Sequence, residues 1–229
     1  MSWILRFWKS SIGGKLTMAA TGLMLFGFVV GHLTGNLLVF RGAEAMNDYA
    51  AFLQSKPGFL WTARIGLLAV VAVHIATAIS LTRANKAARP VAYAKQESQV
   101  SSMASRSMML TGATLGAYVV FHLAHLTWGL ILGDHYALTD ADGRHDVYSM
   151  LVLGFRQPLI SLLYLAAMAL LGLHLRHGVT SFFQTIGFNH SRYNGMLDRL
   201  GIAVAALIFG GYAAIPLSIM AGWIGEGVA

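Results

Sequence analysis

With 229 residues, 56% of them hydrophobic and only 11% charged, the chain carries far less charge than the roughly 25% of an ordinary soluble domain. Its mean hydropathy of +0.62 excludes a conventional soluble enzyme, and the length is too short for a large soluble domain on top of several membrane spans. No cysteine is present. Disulfides, thiolate metal sites, iron–sulfur clusters on this chain and c-type haem attachment are therefore excluded, which leaves imidazole as the obvious metal ligand.

Residues 1–15 are basic and aromatic (Trp3, Phe7, Trp8) and too poor in apolar content before Lys15 for a secretory signal. They read as an interfacial amphipathic lead-in that stays on the mature protein. Beyond them the charges cut out five uncharged stretches, 16–40, 65–82, 107–133, 157–175 and 200–225. Each is near or above the ~18 residues of a transmembrane helix. The expectation is an all-α bundle of five spans, at about 16–40, 60–82, 107–133, 157–179 and 200–223.

The first span sets Gly22, Gly27, Gly31 and Gly35 around His32. Such small residues either let helices approach closely in lipid or make room for a flat macrocycle beside a ligand. The next stretch, 41–56, reads as a polar loop with Glu44, Asn47, Asp48 and Tyr49, closed by Pro57-Gly58. Its carboxylates sit where a quinone headgroup would exchange protons. The second span carries His74, and a basic connector with Arg89-Pro90 and Tyr93 follows, solvated or suited to dock a soluble partner. The third span carries His122 and His125, three apart and so on one side of a helix. One of them can be a ligand while the other packs.

His135 and His145 fall among aspartates in the following loop and read as solvent-exposed. The fourth span starts after Pro158, a favourable place for proline, and ends on Gly172-Leu173-His174-Leu175-Arg176-His177-Gly178, with Ser181 to Gln184 as an amphipathic tail. The fifth span has no histidine, and Pro216 is expected to kink it. Its simplest role is to close the bundle. No internal repeat is evident.

Eleven of the sixteen Lys and Arg residues, from Arg6, Lys9 and Lys15 through 83–106 to Arg176, Arg192 and Arg199, fall on one side of the five spans. By the positive-inside rule that side is cytoplasmic. Glu44, Asp48, Asp134, Asp140, Asp142, Asp146 and Glu226 fall on the other. The N-terminus is thus expected inside and the C-terminus outside.

An ionisable residue at membrane depth is a functional hypothesis by default. At about 1.5 Å per residue, His32 lies roughly 26 Å beyond Lys15 and His122 about 24 Å beyond Arg106, on two outward-running helices. His74 and His174 lie near Arg83 and Arg176 on inward-running ones. Depth therefore predicts a distal pair, His32 with His122, and a proximal pair, His74 with His174, at levels roughly 12 Å apart. Haem is preferred over a bare ion because no Asp or Glu lies within any uncharged stretch, where a metal carrier uses carboxylates beside its histidines. The same absence predicts no carboxylate proton relay through the bundle. Two axial nitrogens leave no open position on the iron, so such a haem carries electrons.

The chain resembles the di-haem cytochrome b558 membrane subunits of succinate dehydrogenases and fumarate reductases, the single-chain five-helix anchors of complex II. The resemblance is carried by Gly31-His32-Leu33-Thr34-Gly35-Asn36, Asn47-Asp48-Tyr49-Ala50, His74-Ile75, Arg89-Pro90 with Tyr93, and Arg106-Ser107-Met108 through Thr111-Gly112. It continues in Phe121-His122-Leu123, in the His174 segment, and in Ser181 with Gln184-Thr185-Ile186-Gly187. It implies two haem b with His32, His74, His122 and His174 as axial ligands. His125 and His177 become their companions, with His177 placed near haem surroundings or the iron–sulfur partner. It also implies an FAD flavoprotein and an iron–sulfur subunit on the cytoplasmic face of a bacterial cytoplasmic membrane, menaquinone as the quinone, and no dicarboxylate site on this chain. Quinone-site candidates are Glu44, Asp48 and Tyr49 outside, with Arg106, Ser107 and Gln184 inside. The rival readings are a di-haem membrane subunit of formate dehydrogenase, hydrogenase or nitrate reductase type, and a redox-free histidine-lined proton or metal carrier.

Overall fold

A computed structural model describes residues 6–7, 10–88 and 103–228. Helix α1 (Ser11–Asn36) runs into a 3-10 turn (Leu37–Arg41), followed by α2 (Ala43–Gln54) and α3 (Pro57–Ala87). After the short α4 (Met103–Arg106) come α5 (Met108–Leu126), α6 (Gly133–Tyr136), α7 (Val147–Arg156), α8 (Pro158–Thr185) and α9 (Ser191–Met220). Five helices, α1 with its 3-10 extension, α3, α5, α8 and α9, are long and apolar enough to cross a membrane. Among the described residues all regular structure is helical apart from one antiparallel bridge, Thr139 with His145. Trp3, Trp8, Lys9, Arg89, Pro90, Tyr93 and Lys95 lie outside the described residues.

Local chemistry places the ends. The Ser10 hydroxyl accepts from the Gly13 amide at 3.1 Å and caps α1, while Pro57 and Pro158 open α3 and α8 where a missing N–H costs nothing. Most helices run past the uncharged stretches, because charged ends project beyond the hydrocarbon. Thus Lys15 is inside α1 and Arg192, Asp198 and Arg199 are inside α9. Ser181 to Gln184 belong to the last turns of α8. Pro216 is buried within a helix that continues from Ser191 to Met220.

The third span is the exception, since α5 ends at Leu126, seven residues before the expected limit of 133. There the amides of Thr127 and Trp128 both donate to the Leu123 carbonyl, at 3.0 and 2.8 Å, and the chain turns away. Gly129 makes that turn at φ 62°, where a Cβ would stand 2.7 Å from the Tyr136 ring. No charge marks the stop, so delimiting spans by charge ran through it. The stretches read as loops are also more ordered than expected. Residues 43–54 form α2, and the 133–156 segment forms α6 and α7.

Four helices form a ring: α1 packs on α3 and α8, α5 packs on α8, and the Thr82 hydroxyl donates to the Met109 sulfur at 3.2 Å to join α3 to α5. Helices α1 and α5 are thus diagonal to each other, as are α3 and α8. The fifth, α9, lies outside the ring against α8. The densest packing is a cap at one end, where Val39, Met46, Tyr148, Val152, Phe155, Tyr164 and Ile219 share one apolar cluster. By contrast, α3 buries no residue, and Leu68, Leu110, Leu162 and Leu207 face outward, as lipid allows.

Candidate functional site

The four span histidines meet two by two across the diagonals of the ring. His32 of α1 faces His122 of α5 with ring centres 5.8 Å apart and planes at 89°. His74 of α3 faces His174 of α8 at 6.5 Å and 59°. Two imidazoles on opposite sides of one ion, each with a nitrogen about 2.0–2.1 Å from it, have ring centres roughly 6.3 Å apart. The His74–His174 pair, at 6.5 Å, matches that spacing, and the His32–His122 pair, at 5.8 Å, is slightly closer.

The other ring nitrogens are held in place. Thr21 Oγ1 lies 3.0 Å from His74 Nδ1 and donates its proton to the Thr17 carbonyl at 2.8 Å. Thr111 Oγ1 lies 3.2 Å from His174 Nδ1 and donates to the Ser107 carbonyl at 3.0 Å. A hydroxyl has one proton, so with that proton committed to a backbone carbonyl each threonine accepts from Nδ1–H. The hydrogen bond of each ring is thereby taken up at Nδ1, leaving Nε2 as the nitrogen turned to a ligand position. A ligand imidazole whose far N–H is hydrogen-bonded is the arrangement that fixes tautomer and ring orientation at metal sites. At the other level His122 Nδ1 is 3.3 Å from the Tyr164 hydroxyl, and His32 stacks on Phe28 at 5.3 Å and 12°.

The two halves of this site repeat each other. A Cβ on Gly22 would sit 3.6 Å from His74 Cε1, and one on Gly112 3.5 Å from His174 Cε1. Thr21-Gly22 with Val29-Val30 and His32 returns ninety residues later as Thr111-Gly112 with Val119-Val120 and His122. This corrects the expectation of no internal repeat: α1 and α5 present the same Thr-Gly step to the histidine of α3 and of α8 respectively. The repeated unit is a dozen residues in a helix of otherwise ordinary apolar composition, which hides it from a search by composition. It was also the signal that could have identified Thr21 and Thr111. Because Thr21 touches the proximal His74 and lies eleven residues before His32 on the same helix, the two levels are about 16 Å apart. The smaller 12 Å expectation came from measuring His32 from Lys15 and His74 from Arg83 as if both charges marked one membrane level, whereas each lies inside its helix, α1 and α3.

The remaining candidates divide between the two ends. His125 is buried and bonds Tyr164 through Nδ1 at 3.0 Å, so it packs inside the core. His177 is half-buried on α8, three residues after His174. His135 and His145 are half-buried, which corrects their reading as exposed, and His145 Nε2 meets the Tyr136 carbonyl at 2.8 Å. At the cap end, Glu44 and Asp48 are held by Arg144, which also binds Asp140 at 2.7 Å and Asp142 at 3.1 Å. The Tyr49 ring is pressed against Gly35, where a Cβ would lie 2.7 Å away. At the opposite end Arg106 closes α4, Ser107 supplies the carbonyl that anchors Thr111, and Gln184 is exposed at the end of α8.

Electrostatics at the cap follow from these bonds. Burial raises the Asp140 carboxyl, but backbone and side-chain hydrogen bonds from Arg144, helped by Asn47, outweigh it and hold it below the usual carboxylate range. Asp146 is likewise raised by burial and brought below its ordinary value by Ser149 and Asn47. Arg144 is held fully protonated by its carboxylates.

Among the described residues no three His, Asp or Glu side chains converge on one point. Comparison with protein-family models, curated proteins and solved structures returned no match. Fold and site together define a multi-pass helical membrane protein with two stacked, diagonal imidazole pairs.

Proposed function

We propose that this chain is the membrane-anchor cytochrome b subunit of a succinate:quinone oxidoreductase, with two haem b groups on His32/His122 and His74/His174. The observation that carries the reading is the pair of diagonal imidazole couples at bis-axial spacing, 5.8 and 6.5 Å, on two levels of one ring. Bound there, haem supplies reversible one-electron transfer and has no open position for oxygen. Thr21 and Thr111 hold His74 and His174 in the coordinating tautomer and raise their basicity. The lipid-facing helices keep water from both levels.

In this reading the end bearing α4 and the basic inner segments is cytoplasmic and receives the flavoprotein with FAD and the iron–sulfur subunit. With haem held there, His74/His174 would hold the group nearer the partners and His32/His122 the group nearer the cap, and the two would supply one-electron transfer between succinate or fumarate at the partner subunits and menaquinone. The location is a bacterial cytoplasmic membrane. Glu44 and Asp48 are charge-paired, so an outer quinone site in that region must compete with Arg144 for them.

The test is a reduced-minus-oxidised spectrum of the purified complex, with its partner subunits identified. Two b-type components are expected, and His74→Ala should delete one and spare the other. Absence of b-type bands would leave the redox-free carrier, and formate dehydrogenase, hydrogenase or nitrate reductase partners would move the chain to that class.

A further inference from the structure

Tyr164 hydrogen-bonds two histidines at once, His122 Nδ1 at 3.3 Å and His125 Nδ1 at 3.0 Å. Its ring is buried and meets Phe155 at 4.9 Å, Tyr118 at 5.3 Å and Phe121 at 5.9 Å, each edge to face. His125 is 2% exposed, and its Nε2 edge lies over Gly154, where a Cβ would fall 3.0 Å away. Neither ring has room to swing aside.

The phenol has one proton for two acceptors. If it donated to His122, that ring would carry its own proton on Nε2 and could not coordinate. On the reading that His122 is an axial ligand, its Nδ1 bears the proton and must be the donor. We infer that Tyr164 and His125 are positioning residues for His122: the phenol oxygen accepts from His122 Nδ1–H, and the phenol proton is donated to His125 Nδ1. The relay has a fixed direction and locks His122 in the coordinating tautomer.

Comparison of the two repeated halves isolates this device. Tyr164 stands ten residues before His174, and the equivalent position before His74 is Arg64, whose guanidinium lies 5.2 Å over the Trp61 ring. His32 has the Phe28 ring instead of a hydroxyl. Among the described residues the distal pair is hydrogen-bonded to a hydroxyl at His122 and packed by rings at His32, whereas both proximal imidazoles have threonine acceptors.

An acceptor on the far N–H strengthens the imidazole as a donor and favours ferric iron. Spectroelectrochemical titration of the assembled complex reads this directly, with the distal component assigned as the one His74→Ala retains. Tyr164→Phe should change the ferric-to-ferrous preference of the distal component about tenfold, raising its midpoint by about 59 mV, with the proximal midpoint unmoved. Tyr118→Phe removes a neighbouring hydroxyl 5.8 Å ring to ring from His122 and should move neither. His125→Leu should raise the distal midpoint by less than Tyr164→Phe, and His125→Gln, which keeps an acceptor, should return it toward the unmodified value.

A distal midpoint unchanged in Tyr164→Phe, or both midpoints moving together, overturns the inference while two b-type bands keep the haem reading intact. If Tyr164→Phe does not accumulate, the His125→Leu and His125→Gln pair decides, and equal midpoints in those two overturn it. No b-type bands in the unmodified complex removes both readings.

Discussion

Asn47 is 1% exposed and commits both amide protons and its carbonyl to the cap: its amide donates to Asp140 at 3.2 Å and Asp146 at 3.0 Å, and its carbonyl accepts from the Tyr148 amide at 3.0 Å. Replacing it with alanine strands the buried Tyr148 N–H and removes one hydrogen bond from each of two carboxylates. The expected cost is about 3 kcal/mol, read as a lower thermal midpoint in detergent; a change within about 0.5 kcal/mol, the range of ordinary surface substitutions, contradicts the role. Asn47→Asp should be worse, since it sets a third carboxylate beside Asp140 and Asp146. Acid should loosen the same corner. Asp140 and Asp146 have folded pKa values below those of the unfolded chain, so their stabilisation is complete above about 3.9 and is lost as pH falls through the folded values. Protection of the Tyr148 and Ser149 amides, taken as the exchange rate relative to the intrinsic rate at the same pH, should therefore fall as pH drops below about 3.9, and protection unchanged at about pH 3 would contradict the assignment. These residues were legible in the sequence only as a polar loop, because the partners of Arg144 in α2 stand 96 and 100 residues away.

At the scale of elements, the α8–α9 contact turns on Gly201. A Cβ there would lie 2.6 Å from the Arg176 carbonyl oxygen and 3.1 Å from Thr180 Oγ1, and a helical carbonyl cannot step aside. Gly201→Val should push α9 off α8 at a cost of about 1–3 kcal/mol, whereas Gly210→Val, on the same helix with nothing within 4 Å, should leave the melting midpoint close to the unmodified protein. Equal midpoints for the two variants would mean that α9 adjusts freely. The glycines of α1 divide the same way: Gly35 is packed on Tyr49, Gly22 touches the His74 ring, and Gly27 and Gly31 have nothing within 4 Å. The close-packing reading therefore holds for Gly35 and not for Gly27 or Gly31. The spans and the histidine pairing could be read from charge spacing and the rise of a helix, since both are properties of one helix at a time. The helices α2 and α7 and the hydroxyls on the imidazoles could not, because each is decided by residues far away in the chain; the end of α5 could not because the turn at Gly129 carries no charge to mark it.

For the molecule as a whole, the direction in which the bundle crosses the membrane decides which level of histidines meets the soluble partners. The fold sets a clear division. The cap holds α2, α7 and the acidic cluster around Arg144 at one end, and Arg156 joins it to the C-terminal tail through the Gly225 and Val228 carbonyls. The starts of α1 and α9 and the ends of α3 and α8 lie at the other. With eleven of sixteen basic residues assigned to that second end, it should be cytoplasmic. The absence of cysteine makes this measurable without altering any native thiol. Ala141 at the cap and Lys86 at the far end of α3 are both exposed, so single cysteines at either place should leave the fold intact. A membrane-impermeant maleimide should label Ala141→Cys on intact cells and Lys86→Cys only after permeabilisation. The reverse pattern would turn the His74/His174 level away from the cytoplasm, and electrons from a cytoplasmic dehydrogenase would then have to enter at the His32/His122 level, against the proposed order of transfer.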